Sequence, residues 1–269
     1  MKICVMENLV YQEEAGTAGM LDLYLPEGEV SGALLIFYHG GGLEGGDKAD
    51  NRGVYQELAE AGVAVVSANY HMYPEAKYPA FVEDAARCVA WSLEHVKEYI
   101  SFERVFIGGI SAGSYLSMML HFQPRFLAEC GVEESAIEGY IFDAGQPTVH
   151  YNILRERGMD TRTVRVDEAA PIYYLDQERP ENKDQRYLFL ISDNDIVGRK
   201  EQNELLMRTM EAYHYDKSQI EYRILCGYGH TEYTGVTDEA GKYPYTALLL
   251  NFIFGRMDDA EEELVSKTW

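Results

Sequence analysis

Residues 104–116 read RVFIGGISAGSYL. The first part, residues 104–110, has the β-branched and aromatic make-up of a strand, and the run from Ala112 reads as a helix. Ser111 stands at the junction, with Gly109 two residues before it and Gly113 two residues after. One reading is a tight turn that needs small residues. The other is a nucleophile held on a sharp turn, where glycines let neighbouring backbone pass without a Cβ clash. A lone G-x-S-x-G recurs by chance, so the flanking chain has to decide.

On either side, short apolar runs alternate with longer amphipathic ones, the pattern of a mostly parallel sheet covered by helices. The predicted strands are residues 21–25, 33–38, 63–69, 104–110, 139–143, 187–192 and 220–226. The predicted helices are 54–61, 80–99, 112–121, 200–213 and 243–254. In the second helix Phe81, Ala85, Cys88, Val89 and Ser92 recur at the spacing of one buried face. The alternation stops across residues 146–185, which hold no clear strand, several arginines and turn formers such as Arg179-Pro180-Glu181-Asn182. Loops this long are functional or hold small helices of their own, so a short lid over the carboxyl ends of the strands is expected. Without repeats, low-complexity tracts or a linker, residues 1–269 read as a single domain.

A chain of 269 residues with 46% hydrophobic and 25% charged residues has the profile of a globular protein. Its formal net charge of −22 repels phosphate backbones and argues against a nucleic-acid partner. The start, MKICVMENLVYQ, has one Lys and an apolar run broken by Glu7 and Asn8, so neither a signal peptide nor a membrane span is expected. Cys4, Cys88, Cys130 and Cys226 lie far apart with no C-x-x-C pair, which argues against a metal knuckle and for reduced thiols in a cytoplasm. Assembly into a homo-oligomer is left open.

A second glycine cluster, His39-Gly40-Gly41-Gly42-Leu43, follows the predicted strand at 33–38. Successive glycines at a strand end let backbone N–H groups point at a ligand, as an oxyanion hole requires. Nucleotide binding lacks its motif, since there is no G-x-x-x-x-G-K-[ST] and no G-x-G-x-x-G opening a helix. Loop amides plus the amide after the nucleophile, here Ala112, would supply the donors of an acyl-transfer site. A serine hydroxyl also needs a base. Among the histidines only His230, in CGYGHT, follows a late strand and is flanked by small residues that permit a tight loop. The orienting carboxylate is expected in ISDNDIV, residues 191–197. Asp195 is favoured, because the apolar pair Ile196-Val197 after it can anchor the loop, while Asp193 reads as a turn residue capping its own backbone.

Together, HGGGL at 39–43, NYHMYPEAKYPAFVEDA at 69–85, GISAG at 109–113, DEAAPIYYL at 167–175, SDNDIV at 192–197 and GYGH at 227–230 resemble the α/β-hydrolases of the hormone-sensitive-lipase and acetyl-esterase type. The likeness covers residues 21–254. It implies the α/β-hydrolase fold, with helices on both faces of the sheet, and a carboxylesterase that works without metal or cofactor. It also implies a Ser111–His230–Asp195 triad and an oxyanion hole of Gly41, Gly42 and Ala112. The segment NYHMYPE departs from the family's D-Y-R-L-A-P-E at Asn69 and His71; Glu75 and Asp84 read as structural braces.

For the substrate, a small-molecule ester with a short, acetyl-like acyl group fits a short polar lid; a carbohydrate ester is one version. His39, Gln146, His150 and Tyr151 are the candidate substrate-binding residues, although those of QPTVHYN could equally satisfy one another. Arg155, Arg157, Arg162 and Arg165 could meet a carboxylated substrate or pair with nearby acids. An arylformamidase or small peptidase on the same triad, a noncatalytic binding module, and a thioesterase or lipase with a larger apolar entrance are the competing readings.

Overall fold

The computed structural model describes residues 2–176 and 185–255, and the backbone of 265–268. Its strands are β1 (Ile3–Val10), β2 (Met20–Pro26), β3 (Ala33–Tyr38), β4 (Ala64–Ala68), β5 (Arg104–Ile110), β6 (Gly139–Asp143), β7 (Arg186–Asn194), β8 (Ile220–Gly229) and β9 (Val265–Thr268). They form one sheet in the order β1-β2-β4-β3-β5-β6-β7-β8-β9. Pairing is parallel from β4 through β8 and antiparallel at β1–β2, β2–β4 and β8–β9.

The helices are α1 (Arg52–Glu60), α2 (Ala80–His95), α3 (Ala112–Phe122), α4 (Arg125–Glu129), α5 (Tyr151–Glu156), α6 (Arg199–Ala212) and α7 (Pro244–Phe254). Every residue of β3 is buried, as a strand covered on both faces must be. Leu34, Ile36 and Tyr38 belong to the apolar cluster that includes α2, α3 and α6, while Leu35 and Phe37 belong to the one that includes α1 and α7 on the other face. The mostly parallel sheet with helices on both faces is the architecture expected of an α/β-hydrolase.

The predicted face of α2 is buried at Phe81, Ala85, Cys88, Val89 and Ser92. That helix ends at His95 instead of running to residue 99, because residues 96–98 tighten into a 3₁₀ turn. Neither edge strand was anticipated. In β1 a bulge between Met6 and Leu9, with Asn8 at φ 59°, breaks the alternation by which a strand is recognised. Across residues 146–176 there is no strand, only α5 and a 3₁₀ turn, Pro171–Tyr174. This stretch docks through Asn152 Nδ2, which donates to the Gly42 carbonyl (2.8 Å), and through the Tyr115 hydroxyl of α3, which donates to the Ala169 carbonyl (2.8 Å). Residues 177–184, including Arg179-Pro180-Glu181-Asn182, lie outside the described residues.

Candidate active site

The register of the sheet sets the chemistry side by side. Tyr38 at the end of β3 pairs with Gly109 of β5, and Ile110 pairs with Asp143 at the end of β6. The loops that follow these strands therefore open at one edge, the carboxyl end where ligands of open α/β sheets bind. Ser111 sits there at φ 54°, ψ −107°, a conformation that L-residues avoid and that persists only where surroundings enforce it. Two contacts enforce it. The Ser111 N–H donates to the Asp143 carbonyl (2.8 Å), and α3 starts so close to β3 that a Cβ on Gly113 would lie 2.1 Å from the Tyr38 carbonyl oxygen. Only glycine at 113 permits that approach.

His230 follows β8 and brings its Nε2 to 2.7 Å from Ser111 Oγ. Its Nδ1 lies 2.7 Å from Asp195 Oδ1, just beyond β7. The Asp195 carboxylate is almost wholly buried and also accepts the Ile196 N–H (2.6 Å). The Ser192 hydroxyl sits between Asp195 Oδ2 (3.2 Å) and the Gly229 carbonyl (2.8 Å), tying the acid loop to the histidine loop. Because the carboxylate can only accept, Nδ1 carries a proton and Nε2 presents its lone pair to the serine hydroxyl.

The loop is held differently from the sequence reading. Ile196 is half-exposed and Val197 is 98% exposed, so this apolar pair anchors nothing; the polar contacts of Asp195 do so instead. Asp193 does not cap its own backbone. An irregularity between Ser192 and Asn194 turns it toward β8, where Oδ1 accepts the Gly227 N–H (2.8 Å).

Facing Ser111 is the glycine loop after β3. The amides of Gly41, Gly42 and Ala112 donate to no acceptor among the described residues, so they remain available to an oxyanion. At Gly42 (φ 68°) a Cβ would lie 1.9 Å from the Tyr151 hydroxyl oxygen, so glycine is required there by conformation and by contact. His39 is buried beneath the loop: Nδ1 donates to the Gly40 carbonyl (2.7 Å), and the ring stacks on Tyr70 at 4.4 Å. Burial lowers its pKa, partly offset by that carbonyl, so it braces the loop as a neutral ring.

The family's departures find other partners. Asn69 Oδ1 accepts the Lys48 N–H (2.7 Å) and its Nδ2 donates to Asp47 (3.0 Å). His71 Nδ1 lies 2.6 Å from Asp84 Oδ2, and Asp84 also pairs with Arg87. Asp84 is thus a brace. Glu75, expected as one, is exposed and braces nothing among the described residues, because its turn points to solvent.

Gln146 is satisfied inside the lid: Nε2 donates to the Val149 carbonyl (3.0 Å), and Oε1 accepts from Tyr151 N and from Arg199 (both 3.3 Å). His150 is fully buried and caps α5, its Nδ1 accepting the Asn152 N–H (3.2 Å). The four lid arginines pair with acids: Arg155 with Glu44, Arg157 and Arg165 with Asp167, and Arg162 with Asp160.

Two features escaped the sequence reading. Arg199 at the start of α6 is 3% exposed and donates to the Ala144 carbonyl (2.6 Å). Asp143 is fully buried, accepting from the Tyr233 and Tyr245 hydroxyls, the latter at 2.6 Å. Burial pushes its pKa up to about 7, against the pull of the two tyrosines, and the charge of Asp195 pushes the same way. A glycine before a helix was the only sequence sign near Arg199, and Asp143 had none.

Among the described residues, no group of three or more His, Cys, Asp or Glu could hold a metal ion, and no helix is long and apolar enough to cross a membrane. The BD-FAE family model matches residues 21–136. The carboxylic ester hydrolase LipN of Mycobacterium tuberculosis is 39% identical over 101 residues, which is 36% of this chain and 27% of LipN. An acetyl esterase of Salmonella schwarzengrund is 31% identical over 98 residues, or 36% of this chain and 30% of that protein. The chain thus matches less than a third of the length of either relative. Esterase B from Lactobacillus rhamnosis superposes with a TM-score of 0.73 at 17% identity, over 93% of this chain and 85% of that one. In fold the chain is an α/β-hydrolase, and in its N-terminal half it is similar in sequence to the BD-FAE family and to esterases.

Proposed function

We propose that the chain is a serine carboxylesterase that hydrolyses short-chain esters through an acyl-enzyme. The observation that carries this reading is the continuous path from Ser111 Oγ through His230 to Asp195, both links at 2.7 Å. In the mechanism, a bond forms between Ser111 Oγ and the ester carbonyl carbon as the serine proton passes to His230 Nε2. Asp195 holds the Nδ1–H tautomer and stabilises the imidazolium. The amides of Gly41, Gly42 and Ala112 receive the oxyanion; one such donor is worth about 10²–10³ in rate. The carbonyl–alkoxy bond then breaks as His230 returns the proton to the leaving oxygen, and water attacks the acyl-enzyme by the same route.

A short acyl group is favoured by a lid whose described part packs directly on the oxyanion loop through Tyr151 and Asn152, and by the acetyl esterase among the relatives. The test is p-nitrophenyl esters from acetate to decanoate, with acetylated sugars alongside and fluorophosphonate labelling of wild type and Ser111→Ala. Expected is labelling that vanishes in the variant and kcat/KM that peaks at about two to four carbons. Labelling that persists sinks the assignment of Ser111, and a peak at eight carbons sinks the short pocket.

A further inference from the structure

Arg199 is a buried guanidinium that makes no hydrogen bond to a carboxylate among the described residues; burial lowers its pKa, and the charge of Asp195 opposes this only from beyond contact. Its acceptors are neutral, the Ala144 carbonyl and the Gln146 side chain. Burying a cation is expensive unless an anion is placed against it. The site is also the first residue of α6, where the helix dipole disfavours positive charge. Nothing in the fold of the lid explains why a cation should be kept here, since Arg155, Arg157, Arg162 and Arg165 are all paired with carboxylates, Arg157 and Arg165 sharing Asp167.

A second, independent group is incomplete at the same place. His150 is 0% exposed, and among the described residues its Nε2 has no hydrogen-bond partner. Because Nδ1 accepts the Asn152 N–H, the neutral ring carries its proton on Nε2, which is therefore a buried donor without an acceptor. Leaving such a group unpaired is costly. The ring packs on Tyr115, one turn along α3 from Ser111, and on Tyr151, whose hydroxyl overhangs Gly42. It feels the charges of both Arg199 and His230, which with burial keep it neutral. Gln146 ties Arg199 to the backbone beside His150, accepting from Arg199 and from the Tyr151 N–H.

We propose that Arg199 and the Nε2–H of His150 form a subsite beside Ser111 for a carboxylate carried by the substrate. This rests on the esterase reading and narrows its substrate class to carboxylate-bearing esters. The carboxylate has two sources: the acyl group, as in a dicarboxylic hemiester, or the alcohol, as in an acylated hydroxy acid. Each is compared with a neutral isostere. The acyl arm sets mono-p-nitrophenyl succinate against its methyl ester, and the alcohol arm sets O-acetyl-lactate against methyl O-acetyl-lactate.

The readout is the ratio of kcat/KM for charged over neutral substrate, measured in wild type, Arg199→Met and His150→Asn. Asparagine keeps the helix cap but cannot reach as Nε2 does. Expected is a wild-type ratio of about ten or more in one arm, that being the worth of a charge-assisted hydrogen bond, falling toward one in both variants. Calorimetric binding of succinate reads the subsite without turnover, and Arg199→Met should abolish it. A wild-type ratio of one or below in both arms overturns the proposal, as does a ratio that Arg199→Met leaves unchanged. If Arg199→Met does not fold, His150→Asn and the wild-type ratios still decide. Normal hydrolysis of p-nitrophenyl acetate with no charge preference removes the subsite alone. Absence of any ester turnover, with succinate still bound, removes the esterase reading and leaves an anion site.

Discussion

Gly113 meets the Tyr38 carbonyl through bare backbone, whereas the lid meets the neighbouring glycine loop through the side chains of Asn152 and Tyr151. The strand-end wall of the site is fixed by the sheet register and by glycines that nothing larger can replace. The lid wall is fixed by polar side chains and exposed ion pairs, which are individually weak. A wall made of backbone contacts tolerates almost no substitution, while one made of side-chain pairs can change specificity without losing the catalytic geometry. Substitutions on the first wall should therefore remove the chemistry, and those on the second should redirect or spare it.

Ser111→Ala should have the largest effect, a loss of about 10⁶ in kcat with no change in melting temperature, since losing the nucleophile disables the whole relay. Asp195→Asn should cost about 10⁴ by presenting the wrong His230 tautomer. Asp193→Asn, which still offers an oxygen to the Gly227 N–H, should stay within a few-fold. Steady-state kinetics on p-nitrophenyl acetate checks both, and reversed effects would move the triad acid to Asp193. Gly42→Ala should lose about 10²–10³, because the new methyl displaces Tyr151 and strains φ at a proposed oxyanion donor. An active Gly42→Ala enzyme would show that the loop is softer than its contacts imply.

How much of this was legible follows from the same division. Ser111 and His230 stood out because backbone demands small neighbours, and small neighbours leave a sequence pattern, GISAG and GYGH. The parallel core strands were legible because burial on both faces makes continuous apolar runs, as in β3. The edge strand β1 was not, since exposure and a bulge remove the alternation. Asp143, Tyr233 and Tyr245 are brought together across 90 and 102 residues of chain, a pairing that no local spacing encodes. Arg199 looked like any surface arginine at a helix start; only the fold buries it. The anchoring role given to Ile196 and Val197 failed because apolar residues are not obliged to be inside, and here the loop leaves them exposed.

Asp143 offers a middle-sized effect on stability. Its carboxyl has an unfolded pKa near 3.8 and a folded pKa raised to about 7 by burial. The folded protein therefore holds a proton that the unfolded chain gives up, so the stability present at pH 4 is lost as pH rises toward 7. Asp143→Asn removes that titration. The wild-type melting temperature minus the variant's should fall between pH 4 and pH 7; a difference that rises instead would mean that the tyrosines hold Asp143 as a carboxylate.

The smallest effect is expected at the lid surface. Arg162 is strongly exposed and pairs with Asp160 only two residues away, also exposed, at 2.6 Å. Water screens such a pair, and two neighbours in one turn need no ion pair to stay together. Arg162→Gln should leave the melting temperature, the hydrolysis of p-nitrophenyl acetate and the preference for a carboxylate-bearing ester unchanged within error. The last of these is the discriminating measurement, because Arg162 and Arg199 make opposite claims on the same substrate charge. An exposed arginine could attract an anion from a distance, and that attraction would weaken steeply with salt; a buried one acts only at contact and resists salt. If Arg162→Gln lowers the carboxylate preference, and added salt lowers it equally in the wild type, the anion is recruited by the lid surface. The difference between the two kinds of arginine would then collapse. If the preference survives both changes, it belongs to the buried group.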